Sequence, residues 1–148
     1  MSTELAIQRG VERTQLSHEK ISQLLNSVPE SLIPIKETIA LLHHLKDTPN
    51  KFYVLSNMHN ASMNYLEKNH SFWIVFGGKV FSCEVHKIKP EPEIYEHLLN
   101  KFKLEANKTI FIDDMLENLD AATQFGIKII HFQNTKQCFK GLKKLALI

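Results

Sequence analysis

Apolar residues recur along the chain with two spacings, and the alternation between them sets out the elements. Ile21, Leu24, Leu25 and Val28 fall at helical spacing. Ser17 stands before them as a cap and Glu19 sits in the first turn, so the pattern predicts a helix over 17–28. Pro29 is expected to end it. Pro34 suits the first position of the next helix, whose apolar face is Ile35, Ile39, Leu42 and Leu45, through about Lys46. Phe52-Tyr53-Val54-Leu55 is then a short unbroken apolar run, the pattern of a strand buried on both faces. A helix is predicted from about Asn60 to Lys68, a turn at Gly77-Gly78 and a short strand at Val80-Phe81. Pro90 and Pro92 flank the start of a helix carrying Ile94, Leu98, Leu99 and Phe102. Thr109–Ile112 reads as a second buried strand and Leu116–Phe125 as the helix after it. Gly126 stands where a left-handed cap belongs. Ile127–Phe132 is a third strand, and a last helix spans Lys136 to Leu145.

Strands that alternate with helices predict an α/β fold, a parallel sheet with helices on both faces. Ligands in such sheets bind at the carboxyl ends of the strands. The 148 residues are 43% apolar and 23% charged, ordinary for one globular domain. No apolar run approaches the roughly 18–20 residues of a membrane helix, and the start has no basic segment followed by an apolar one. No membrane partner is expected. The net charge of +2 is too small for a nucleic-acid surface, and the basic run Lys136–Lys144 reads as a solvated helix face. Cys83 and Cys138 have no CxxC spacing, which argues against a disulfide scaffold or a zinc site and makes a reducing cytoplasm the expected compartment. His43 and His44 are neighbours, about 100° apart on a helix, and cannot share a metal well.

Three polar features fall at strand ends. Ser56-Asn57 follows Phe52–Leu55, Lys89 precedes a helix in Lys87-Ile88-Lys89-Pro90-Glu91-Pro92, and Asp113-Asp114 follows Thr109–Ile112. Taken singly they are a turn, a surface lysine and a helix cap. Together they suit a phosphoryl group and a magnesium ion. A lysine and amides neutralise phosphate oxygens, and carboxylates suit a hard cation.

These stretches carry a resemblance. Val54-Leu55-Ser56-Asn57 resembles motif II of the haloacid dehalogenase-like (HAD) hydrolases. Val80 to Tyr95, centred on Lys89-Pro90-Glu91-Pro92, resembles the region of motif III. Ile110 to Ala122, with Asp113-Asp114, resembles motif IV, and Gly126-Ile127 fits as well. The match runs from about Ile33 to Phe132. The resemblance implies a HAD-like Rossmannoid sheet at 31–148, with residues 1–30 as the remnant of a small helical cap. It implies a Mg2+-dependent phosphatase of small phosphorylated metabolites. On that reading Ser56 and the Asn57 amide bind the phosphoryl group and Lys89 neutralises it. Asp114 ligates Mg2+, Asp113 supports the ion directly or through water, and Asn118 orients this shell.

One part of the pattern is missing. The family's reaction begins on an aspartate of an Asp-x-Asp motif, at the end of a central strand that precedes the cap. No Asp precedes Asp47 here. The expected fold therefore lacks the strand between Phe52–Leu55 and Thr109–Ile112. Either those two strands close on each other, or a donated strand or a second copy fills the slot. The chain alone is expected to be inactive. The rival readings are a non-enzymatic protein that binds phosphate and Mg2+ or regulates, a truncated gene fragment, and, ranked last, a haloacid dehalogenase.

Overall fold

Two helices lead the chain, and the computed structural model describes residues 3–145. Helix α1 (Thr3–Thr14) and helix α2 (His18–Ser31) form an antiparallel hairpin, packed through buried Ile7 and Ile21. Ser17 caps α2 as predicted, its side chain accepting from the Lys20 N–H at 3.3 Å. α1 was not foreseen. Most of its positions are polar and Gly10 interrupts it, so its apolar spacing is thin. Pro29 does not end α2, which runs two residues further. Pro29 is buried, so packing offsets the one backbone donor its ring removes. Pro34 lies outside helix α3 (Lys36–Leu45), because Ile35 is still extended, with φ −75° and ψ 112°.

The α/β body follows in the predicted order. Strand β1 (Tyr53–Ser56) leads to α4 (Asn60–Asn69) and a 3-10 turn at Phe72–Val75. Strand β2 (Gly78–Phe81), a four-residue helix α5 (Ser82–Val85) and α6 (Pro92–Phe102) come next. A 3-10 turn at Ala106–Lys108, β3 (Ile110–Asp113), α7 (Leu116–Thr123), β4 (Lys128–His131) and α8 (Thr135–Lys144) complete it. Gly78 belongs to β2 and not to the turn, because Gly77 already donates to Phe52 O at 2.8 Å. Gly126 has φ +78°, the left-handed backbone that ends the turn after α7.

The sheet is in two halves. β1 pairs with β2 in parallel, Tyr53 opposite Gly78 and Ser56 opposite Phe81. β3 pairs with β4 in parallel, Ile110 opposite Lys128 and Asp113 opposite His131. Among the described residues no ladder joins β1 to β3, so these strands do not close on each other.

Each face of the sheet has its own core. Leu55, Val80, Ile94, Tyr95, Leu98, Ala122 and Ile127 form one, with Tyr53 and Phe111 against it. Leu45, Ile130, Cys138 and Leu142 form the other, with Phe52 and Ile110 against it. Successive strand residues thus go to opposite faces, which is why the runs are continuously apolar. A cleft of about 630 Å³ lies between β1 and β3, roofed by α3 and α8 and floored by α6. Among the described residues no helix is long and apolar enough to cross a membrane.

Candidate active site

The carboxyl ends of β1 and β3 meet at one buried ion pair. Lys89 Nζ donates to Asp113 Oδ2 at 2.6 Å, and the two side chains are 9% and 7% exposed. A buried pair needs further hydrogen bonds to offset desolvation, and Asp113 has them. Its Oδ1 accepts from the Met115 N–H at 2.9 Å and from Asn118 Nδ2 at 3.0 Å. Asn118 is buried at the start of α7. Its carbonyl in turn accepts from the Tyr95 hydroxyl at 2.8 Å. Lys89 Nζ also lies 5.4 Å from the centre of the Phe111 ring, within cation–π range.

Burial would push the Asp113 carboxyl up. The hydrogen bonds from Lys89, Asn118 and the Met115 backbone, and the Lys89 charge, outweigh it and hold the group below the usual carboxylate range. Tyr95 is pushed the other way, to about 12, by burial and then by the negative charge of Asp113.

Asn57 fixes the lysine loop. Its Oδ1 accepts from the Lys89 N–H at 2.8 Å, and its Nδ2 donates to the Lys89 carbonyl at 2.8 Å. This two-point clasp joins the end of β1 to the loop before α6, where the Lys89–Pro90 peptide is cis. Ser82 Oγ makes a second tie, accepting from the Met58 N–H at 3.0 Å and donating to the Met58 carbonyl at 3.3 Å. Across the site His131 Nε2 donates to the Asp114 carbonyl at 3.0 Å. The Asp114 carboxylate is exposed and makes no hydrogen bond among the described residues. Ser56 is half-buried at the end of β1.

Of the residues picked from sequence, Lys89, Asp113, Asn118 and Asn57 are thus in direct contact. Asp114 is next to them and faces solvent, and Ser56 stands at the adjoining strand end. The Asn57 side chain, Tyr95, Ser82 and His131 were not assigned these contacts. Each is a polar residue whose partner is 17–32 positions away, and no local pattern reports that separation.

The donor chemistry fits magnesium. Mg2+ is held by one or two carboxylates and keeps several waters. Asp114 offers an unpaired carboxylate at a rim of one cation and two anions, counting Lys89, Asp113 and Asp114. The fit is to such a water-rich site, since the described residues hold no cluster of three or more His, Cys, Asp or Glu suited to a metal.

The chain belongs to a family of hydrolases with this architecture. A haloacid dehalogenase-like hydrolase family model matches residues 3–132, helical hairpin included. The chain is 29% identical over 130 residues to the sesquiterpene phosphatase astK of Aspergillus oryzae, covering 88% of this chain and 66% of that one. It is 41% identical over 64 residues to bifunctional epoxide hydrolase 2 of Mus musculus, covering 43% of this chain and 12% of that one. A HAD family enzyme of Bacteroides thetaiotaomicron, crystallised with magnesium and inorganic phosphate, superposes with a TM-score of 0.65 at 26% identity. It covers 78% of this chain and 60% of its own. The chain therefore spans no more than about two thirds of each of these relatives.

Proposed function

We propose that the chain forms the phosphate- and cation-binding half of a Mg2+-dependent phosphatase of small phosphorylated metabolites. The observation that carries this reading is the buried Lys89–Asp113 pair at the strand ends, with a free Asp114 carboxylate beside it. Similarity to a sesquiterpene phosphatase over most of the chain supports it. Lys89 lies where its ammonium offsets charge on phosphate oxygens, and the Ser56 hydroxyl and Asn57 backbone N–H donate to them. Asp114 holds Mg2+ directly and Asp113 supports it, directly or through water. Bound there, the ion adds positive charge against the transferring phosphoryl group.

Hydrolysis through a covalent aspartyl phosphate needs one more carboxylate. The chain has four aspartates. Asp113 is committed to Lys89, Met115 and Asn118, and Asp114 to the cation. Asp47 follows α3, and Asp120 is exposed on α7. The nucleophile is therefore supplied from outside these residues, and the chain by itself turns over nothing.

Two assays on the pure chain test this. Mg2+ with inorganic phosphate raises its melting temperature, and Asp114→Ala removes that rise. p-Nitrophenyl phosphate is cleaved no faster than in buffer. No rise with Mg2+ and phosphate overturns the binding site. Mg2+-dependent cleavage that Asp114→Ala abolishes overturns the absence of turnover.

A further inference from the structure

We propose that the site takes a phosphate monoester of an apolar, hydrocarbon-chain alcohol, whose tail lies against a rim formed by Met58, Ile88, Met115 and Leu116. This rests on the phosphatase reading above and names the class of its substrate.

Two observations carry this. The first is where exposed apolar side chains fall. Ile88 is 48% exposed, Met115 48% and Leu116 58%. A single exposed apolar residue is ordinary on a folded surface, but these three lie in the site's own loops. Ile88 immediately precedes Lys89, and Met115 and Leu116 immediately follow Asp114. Half-buried Met58 follows Asn57 in the same way. Each of the three loops that supplies a polar site residue thus supplies a large apolar one beside it. Apolar surface grouped at a polar site marks a place where a ligand is covered.

The second is that hydrogen bonds anchor these loops round one charged pair. The 2.6 Å contact of Lys89 Nζ with Asp113 Oδ2 joins the loop of Ile88 to that of Met115, and the Met115 N–H donates to the same carboxylate. Asn57 clasps Lys89 from the β1 side, and Ser82 Oγ holds both backbone groups of Met58. The helical hairpin packs through α2 on α4 and leaves Ile88, Met115 and Leu116 exposed. The polar end of the occupant is therefore fixed at Lys89, and its alcohol portion meets apolar side chains. A sugar gains little from Ile88 or Leu116. A hydrocarbon tail takes such surfaces out of water, and each methylene it buries tightens binding about fourfold. Methionine, unbranched and flexible, fits itself to a chain of irregular shape.

Calorimetric titration of the full chain in saturating Mg2+ tests this with methyl phosphate, hexyl phosphate and glucose 6-phosphate, and none of the three needs to be turned over. Hexyl phosphate is expected to bind at least about tenfold tighter than methyl phosphate, and glucose 6-phosphate no tighter than methyl phosphate. Ile88→Ser and Leu116→Ser change exposed side chains, so both variants are expected to fold. Each should lower hexyl phosphate affinity about threefold or more, and methyl phosphate affinity by less. Equal affinity for methyl and hexyl phosphate overturns the proposal and leaves the phosphatase reading standing. A hexyl advantage that both substitutions leave unchanged places the tail elsewhere and also overturns it. So does a dimer that Leu116→Ser dissociates, which assigns the rim to a second copy. No binding of methyl phosphate or of inorganic phosphate overturns the phosphatase reading itself, and this inference with it.

Discussion

Lys89 concentrates the problem of the site at the scale of one residue. Its ammonium is almost fully buried against Asp113, and removing one partner of such a pair leaves an uncompensated charge. Lys89→Met is expected to lower stability by about 3–5 kcal/mol in urea unfolding. Lys89→Met/Asp113→Leu is expected to recover most of that loss, since two apolar residues leave no orphaned charge. If the double variant is as unstable as the single one, the pair is not the source of the loss. The identities of Lys89, Asp113 and Asn118 were legible in the sequence because their neighbours form a recognisable string. The geometry was not. Nothing local to Asp113 says that both its oxygens are already engaged, and nothing near Asn57 says that its side chain clasps a loop 32 residues on. Such facts depend on how loops close, and short-range pattern carries no record of it.

At the scale of elements, the strands were the most legible parts. A strand covered on both faces must be apolar throughout, as Phe52–Leu55 is, whereas Ile127–Phe132 carries the exposed Lys128 and was legible from its three isoleucines. Helix ends were less so, because burial of Pro29 overrode the usual stop. Two packings between elements yield tests. A Cβ on Gly78 of β2 would stand 2.2 Å from Cε1 of Phe102 on α6. Gly78→Ala is therefore expected to cost about 1–3 kcal/mol, and Gly78→Ala/Phe102→Leu less, as thermal melts of the three proteins would show. Tyr95 ties α6 to α7 through the Asn118 carbonyl. Its phenol is raised to about 12, above the ordinary value of about 10. The folded chain therefore holds this proton more tightly than the unfolded one. The stabilisation is complete below about pH 10 and is lost as pH rises towards 12. Tyr95→Phe is expected to lower stability at pH 8 by about 1 kcal/mol and to lose less than the parent between pH 10 and 12. Parallel stability curves for the two proteins across that window would contradict this assignment.

The whole molecule is two half-sheets held together by helices and by the network around Lys89. The resemblance implied a missing strand between β1 and β3, and it left open whether those two would close together. They do not: among the described residues no ladder joins them, and side chains of α3, α8 and α6 line the cleft between them. This organisation sets two kinds of interior against each other. Ala122 is fully buried in a packed core, and extra methylenes there have nowhere to go. Cys138 is also buried, yet it lines the cleft, and a longer side chain there can extend into it. Ala122→Leu is therefore expected to destabilise by about 1–3 kcal/mol, whereas Cys138→Leu changes stability by less than about 1 kcal/mol in either direction. Equal losses for the two substitutions would mean that the cleft wall is as tightly packed as the core, and the two halves would then have to be understood as one closed interior.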